Sequence, residues 1–277
     1  MESIGVIGAG QMGRGIAQVC LQAGLKVFLY DQNLDYLKNA RSLLEKPLLK
    51  FCEKNSKNLS DVLNHFFDDV ESLKSFPKCD LIIEAVTENI EIKAEIFRDL
   101  PSFPDMIVAT NTSSISIKTL SSFSNNPSKF IGLHFMNPVP HMQLVEVIPH
   151  DNTSPDTLLT IQNFVSVLNK TYILSSDSPG FVVNRILLPM INEGIKVLFE
   201  NVASAKDIDT AMRLGSNQPM GPLELADLIG LDTCLFILNV LHKDLKNDHY
   251  APCPLLVEYV GKGFLGRKTK RGFYTYE

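Results

Sequence analysis

The chain reads as a mostly parallel α/β domain over residues 1–178, followed by an all-α domain over 179–277. Short apolar runs alternate with helical patterns through the first part, as in doubly wound sheets. A Ser, Asp, Pro and Gly cluster at 175–180 then supplies turn chemistry, and strand signals nearly vanish beyond it.

Residues 3–8 (SIGVIG) are an apolar run closed by glycine, and Met12, Ile16 and Val19 follow at i, i+4 and i+7, one stripe of a helix. Gly24 ends that helix, and 26–30 (KVFLY) is a second strand closed by Asp31. Two strands joined by a helix assemble as a right-handed parallel βαβ unit. Residues 33–55 are helix-forming but interrupted by Pro47, which predicts two pieces or a kinked helix. The runs 81–84 (LIIE), 106–109 (MIVA) and 130–134 (FIGLH) continue the sheet, with a helix over 91–100 before the second of them. A last strand begins at Tyr172. In the second domain 181–199, 204–214 and 223–242 read as helices, the middle one opened by the capping pattern of Ser204 and Asp207.

Composition narrows the function classes. With 45% hydrophobic and 21% charged residues the chain is globular, and a net charge of −5 disfavours nucleic acid as a partner. The five cysteines are scattered without a CxxC pair, which predicts reduced, packed thiols and no metal site. No apolar run reaches the roughly 18 residues of a membrane span. These readings predict a cytoplasmic protein, or a mitochondrial matrix one if a transit peptide was removed from a eukaryotic chain.

The segment GAGQMG (Gly8, Gly10, Gln11, Met12, Gly13) fits G-x-G-x-x-G between a strand and a helix. Its glycines allow a tight turn, close approach of backbone to a pyrophosphate, and close packing of helix on strand. An acid, Asp31, follows 18 residues after Gly13 at the end of the second strand, as dinucleotide binding requires. A carboxylate there accepts from ribose hydroxyls and repels a 2′-phosphate, so NAD is expected over NADP. The other reading of Asp31 is a helix N-cap.

NAD implies hydride transfer, and oxidising an alcohol also needs a base for the hydroxyl proton. Of the six histidines, His134 stands at the end of an apolar strand, where such sheets bind ligands; His65, His141, His150, His242 and His249 read as solvated. Glu146 lies in a second strand-like run twelve residues on. If Pro138 and Pro140 turn the chain back, the two strands pair and His134 faces Glu146, which would fix the imidazole tautomer. The spacing fits equally a structural histidine and a surface glutamate. Asn184 shares a helical stripe with Leu188, Ile191 and Ile195, a polar group on a core-facing side. Residues 111–114 (NTSS) sit at a strand end, either in a site or as helix caps.

The motifs GAGQMGRGIAQV, EAVTENIEIK, NTSSISI, GLHFMNPVPHMQLVEVI, SPGFVVNRILLPMINEG, GPLELADLIGLD and GRKTKRGFYTY span the whole chain, which resembles the 3-hydroxyacyl-CoA dehydrogenase family, particularly its short-chain 3-hydroxybutyryl-CoA members. The resemblance implies a Rossmann NAD-binding domain, then a helical substrate and dimerisation domain forming a homodimer. It implies His134 as catalytic base, Glu146 as its carboxylate partner, and Ser113 and Asn184 at the substrate. Glu88, Lys93, Ser113, Asn137 and Lys268 match positions lining the NAD site. Ser42 and Lys50 are approximate matches to positions that contact CoA, in a region that is shorter here. The implied reaction oxidises a 3-hydroxyacyl-CoA to the 3-ketoacyl-CoA. Alternatives with the same plan are a dehydrogenase of a free hydroxyacid or sugar acid, and a non-enzymatic, crystallin-like relative.

Overall fold

Strand β1 (Ser3–Ile7) is buried along nearly its whole length, because it has parallel neighbours on both edges. The computed structural model that shows this describes residues 1–277 apart from Asp69 and Glu71. The chain divides into two units, Met1–Ser178 and Pro179–Glu277.

In the first unit β1 runs into α1 (Gln11–Gln22) and then β2 (Lys26–Tyr30), which pairs with β1 so that Ile7 lies beside Tyr30. Helices α2 (Leu34–Asn55) and α3 (Leu59–Leu63) lead to the two-residue β3 (Phe66–Phe67) on the outer edge of β2. The chain then crosses to the other edge of β1, where β4 (Leu81–Glu84) places Glu84 beside Ile7. Next come α4 (Ile90–Asp99), β5 (Ile107–Thr110), α5 (Ile117–Ser121) and β6 (Phe130–Phe135). β7 (Leu144–Ile148) is antiparallel to β6, and α6 (Pro155–Val167) returns the chain to β8 (Thr171–Leu174), parallel to β7. Among the described residues the eight-stranded order is β3-β2-β1-β4-β5-β6-β7-β8. Strand order reverses between β1 and β4, and open sheets of this kind bind ligands at that point, outside the carboxyl ends of the strands. The core is apolar, with Val6, Leu29, Ile83, Ala109, Leu133 and Val147 within it.

Three local outcomes sharpen or correct the sequence reading. Of two pieces or a kinked helix, α2 is a single helix with Pro47 inside it, not two pieces. Buried Leu37, Ala40, Leu44, Leu48 and Cys52 anchor it on both sides of the proline, and Leu43, whose carbonyl loses its amide partner, is exposed to water. α3, β3 and α6 carry too few periodic residues, or too plain a pattern, to stand out in the sequence. His150, expected in solvent, is buried: its Nε2–H donates to the Pro127 carbonyl at 3.0 Å.

The second unit is helical: α7 (Val183–Phe199), α8 (Ala205–Gly215), α9 (Pro222–Ile229), α10 (Leu231–Leu245) and α11 (Pro254–Gly261). They enclose Leu188, Ile191, Ile195, Leu223, Leu238 and Leu241. Ser204 caps α8 through the Asp207 amide as its pattern predicts. The third expected helix is two, α9 and α10, bent by 98° at Gly230, whose φ of +103° suits only glycine. No single helix among the described residues is long and apolar enough to cross a membrane. The C-terminal residues are fastened by buried Asp227, which accepts from the Phe273 and Tyr274 amides and the Tyr276 hydroxyl, each at 2.9 Å.

Candidate active site

The glycine turn is dictated by close approach. Gly8 has φ of +105°, and a Cβ on it would lie 2.6 Å from the Ala85 carbonyl oxygen. A Cβ on Gly13 would lie 1.7 Å from the Gly8 oxygen, while Gly10 faces open space. Only glycine permits this turn, and Gly10 leaves its backbone open to a ligand. Asp31 is not the cap of α2; Asn33 is. The Asp31 carboxylate instead accepts from the Ala9 amide at 2.7 Å and the Asn33 amide at 2.8 Å, which ties the end of β2 to the glycine turn. Beside it lies a cavity of about 480 Å³ whose lining includes Gly8, Gly10, Asp31, Val86, Ile92 and Ile96. Apolar walls for a base, a carboxylate for ribose and an uncovered glycine backbone for phosphate fit NAD.

A buried polar network continues along the strand ends. Glu84, fully buried at the end of β4, accepts from the Val86 amide (2.7 Å), the Lys93 ammonium (2.6 Å) and the Thr110 hydroxyl (2.6 Å). Lys93 is also buried, on α4, and its Nζ lies 3.5 Å from Glu88 Oε2. Glu88 Oε1 gathers the loop after β5: it accepts from the Thr112 hydroxyl, the Ser113 and Ser114 amides (2.8 and 2.9 Å) and the Ser114 hydroxyl (2.8 Å). Burial by itself raises the Glu88 pKa, but the Lys93 charge and these hydrogen bonds outweigh it and hold the carboxyl below its ordinary value. The Ser113 hydroxyl is only 3.4 Å from Glu88 and is half-buried, whereas Ser114 is buried and committed to it. The sequence reading missed Glu84; the signal was a carboxylate inside the apolar run LIIEAV, nine residues before a lysine on the inner face of α4.

His134 and Glu146 are direct partners in the β6–β7 register, and His134 Nδ1 lies 2.7 Å from Glu146 Oε2. Both are buried, at 7% and 0% exposure, so the glutamate is no surface residue. Facing a carboxylate, Nδ1 carries the hydrogen and donates it, which leaves the lone pair of the neutral ring on Nε2. The Asn111 side chain accepts from the Phe135 amide at 2.8 Å, joining the serine loop to the strand of His134. In the turn that follows, Asn137 Oδ1 accepts from Gln11 Nε2 at 3.1 Å. The same turn is held by buried Lys170, which donates to the Val139 and Met142 carbonyls at 2.7 and 2.6 Å. α1 packs on it so tightly that a Cβ on Gly15 would lie 2.9 Å from the Val139 Cβ.

The first unit thus brings together Gly8, Gly10, Gln11, Met12, Gly13 and Asp31 around one turn, Glu88, Lys93 and Ser113 in one network, and His134, Glu146 and Asn137 around one strand connection. Ser42 and Lys50 are exposed on α2, spaced four apart with Lys46 and Lys54. Asn184 and Lys268 belong to the second unit. Asn184 is half-buried in the first turn of α7, where the helix leaves the core; the buried amide of that helix is Asn192, bonded to the Ala251 carbonyl (2.9 Å) and the Cys253 amide (2.8 Å). Lys268 is paired with Asp232.

Comparison with known proteins identifies the family. Residues 3–178 match the model of the 3-hydroxyacyl-CoA dehydrogenase NAD binding domain, and 180–276 match that of the family's C-terminal domain. The chain is 48% identical to a 3-hydroxybutyryl-CoA dehydrogenase of Bradyrhizobium diazoefficiens, covering 100% of this chain and 96% of that one. It is 39% identical to human mitochondrial hydroxyacyl-coenzyme A dehydrogenase, covering 100% and 92%. Among solved structures, the (S)-3-hydroxybutyryl-CoA dehydrogenase of Ralstonia eutropha superposes with a TM-score of 0.92 at 40% identity, covering 100% and 99%. The chain belongs to the 3-hydroxyacyl-CoA dehydrogenase family.

Proposed function

We propose that this chain is an NAD-dependent dehydrogenase that oxidises a 3-hydroxyacyl-CoA to the 3-ketoacyl-CoA and catalyses the reverse, with His134 as general base and Glu146 as its partner. The buried His134–Glu146 pair, at the carboxyl end of a sheet strand, carries this reading. Bound NAD supplies the hydride acceptor for C3. His134 Nε2 removes the 3-hydroxyl proton, and Glu146 stabilises the imidazolium so formed through the 2.7 Å contact at Nδ1. Ser113 and Asn184 bind and orient the substrate. In the reverse direction the imidazolium returns its proton to the reduced carbonyl oxygen.

Gly8, Gly10, Gln11, Met12, Gly13, Asp31, Glu88, Lys93, Asn137 and Lys268 hold the cofactor, and Ser42 and Lys50, with Lys46 and Lys54 on the same exposed stripe of α2, meet the CoA phosphates. The chain acts as a homodimer through its helical unit, where Ile186, Val202 and Leu214 are 67%, 70% and 82% exposed. It works in the cytoplasm, or in the mitochondrial matrix of a eukaryote; five free, buried cysteines suit a reducing compartment.

The test is turnover of acetoacetyl-CoA with NADH, with NADPH and free acetoacetate as controls, for wild type and His134→Gln. NADH consumption with the thioester, lost on the order of 10²-fold or more in the variant while NADH still binds, supports the reading. Turnover of free acetoacetate alone overturns the acyl-CoA assignment, and a fully active variant removes His134 as base. Sedimentation of the purified protein decides the dimer.

A further inference from the structure

The network behind the cofactor site is not charge-balanced. It holds two carboxylates, Glu84 and Glu88, and one ammonium, Lys93, at 2.6 and 3.5 Å. All three close partners of Glu84 are donors, so its carboxyl acts purely as an acceptor, the ionised form. The Thr110 hydroxyl gives its hydrogen to Glu84 and accepts from the Thr112 amide at 3.3 Å, which leaves it no second proton to give. Glu84 and Lys93 are at 0% and 1% exposure and the Glu88 side chain is at 22%, so water screens the remaining unit of negative charge only in part. Its address is specific: Glu84 pairs in register with Ile7, the last residue before the glycine turn, and with Thr110 at the end of β5. It therefore sits at the reversal of strand order where the cofactor binds.

The two redox states of the cofactor differ by one charge, since the nicotinamide ring is cationic when oxidised and neutral when reduced. We propose that the surplus negative charge of the Glu84–Lys93–Glu88 cluster favours the oxidised ring, and that Glu84, which does not itself contact the cofactor, is the positioning residue that sets the ratio of NAD+ to NADH affinity. Glu84 acts by holding the Lys93 ammonium between the two carboxylates, so that Glu88 keeps its charge and its grip on the Ser113 loop. The proposal rests on the reading that Glu88 lines the NAD site.

The experiment is a pair of binding titrations, NADH by its own fluorescence and NAD+ by calorimetry, on wild type, Glu84→Gln and Glu84→Asp. The glutamine keeps the size of the side chain, and its amide can donate to Thr110 in place of the lost contact. Glu84→Gln is expected to raise the ratio of the NAD+ to the NADH dissociation constant on the order of tenfold, the effect of one partly screened charge. Glu84→Asp, which keeps the charge, leaves the ratio near wild type even where both affinities fall. An unchanged ratio in Glu84→Gln, or an equal shift in Glu84→Asp, overturns the proposal. If Glu84→Gln does not fold, Glu88→Gln decides: it removes the same unit of charge and must move the ratio the same way. A wild type that binds neither nucleotide refutes the function proposed above and this inference with it, whereas normal binding with an unmoved ratio refutes this inference alone.

Discussion

Lys170, immediately before β8, reaches the carbonyl of Val139, 2.7 Å away, and so fastens the turn that follows His134 to the entry of a strand two places along the sheet. A second bond from the same ammonium to Met142 clamps the turn at both ends. Lys170→Met keeps the apolar stem and leaves two carbonyls without this donor. Folding stability should fall by about 2 kcal/mol, the scale of a charged hydrogen bond removed from a buried acceptor, and kcat should drop while the NADH dissociation constant changes little. Urea unfolding and steady-state kinetics on the same preparation check both; unchanged stability would mean that the turn holds itself.

Glu146→Gln preserves the β7 strand and a hydrogen bond to the imidazole but removes the charge opposite the imidazolium. We expect kcat to fall on the order of 10²-fold or more, with NADH binding nearly unaltered. Stopped-flow measurement of NADH oxidation separates the two effects. A mutant with wild-type kcat would reduce Glu146 to a structural residue.

Asp31 serves the glycine turn as well as the ribose contact proposed for it, because its Oδ2 accepts from the Ala9 amide. Asp31→Ala should weaken NADH binding by about tenfold, and should narrow the preference over NADPH by relieving repulsion of the 2′-phosphate. Fluorescence titration with each nucleotide gives both numbers. Equal losses for the two would mean that only the turn, and not the choice of cofactor, depends on Asp31.

Acid should expose the role of Glu88. Its folded-state pKa is depressed, so it contributes stability that is complete above the ordinary glutamate value of about 4.3 and is lost as the pH falls through the lower folded value. The gap in urea midpoint between wild type and Glu88→Gln should therefore be widest near neutrality and shrink below about pH 4. A gap that stays constant across that range contradicts the sign.

Much of the site was legible because its pieces are local. GAGQMG and Asp31 lie within one βαβ unit, and the His134–Glu146 register follows from a single short connection between two alternating runs. What could not be read depends on partners distant in sequence. Glu84 left one signal, the lysine nine residues on, but its bond to Thr110 is 26 residues away, and Lys170 needs a turn 28 to 31 residues back to which neither spacing nor periodicity points. Pro47 left two pieces or one kinked helix open for the complementary reason: the local rule on proline does not register the burial on both sides of it that keeps α2 a single helix. Asn184 shares the period of buried Leu188, Ile191 and Ile195 but lies in the first turn of its helix and is half-buried, a difference that period alone does not register.

The contact of Gly15 with Val139 has a mechanical meaning. The helix that opens with the glycine turn and the bend that follows His134 are spaced by the absence of one methyl group, at 2.9 Å from where that carbon would be. Steric exclusion of this kind does not titrate and is not screened by salt. Alignment between the glycine turn and the strand of His134 at this contact is therefore indifferent to pH and ionic strength, while the charges around it remain free to respond to both.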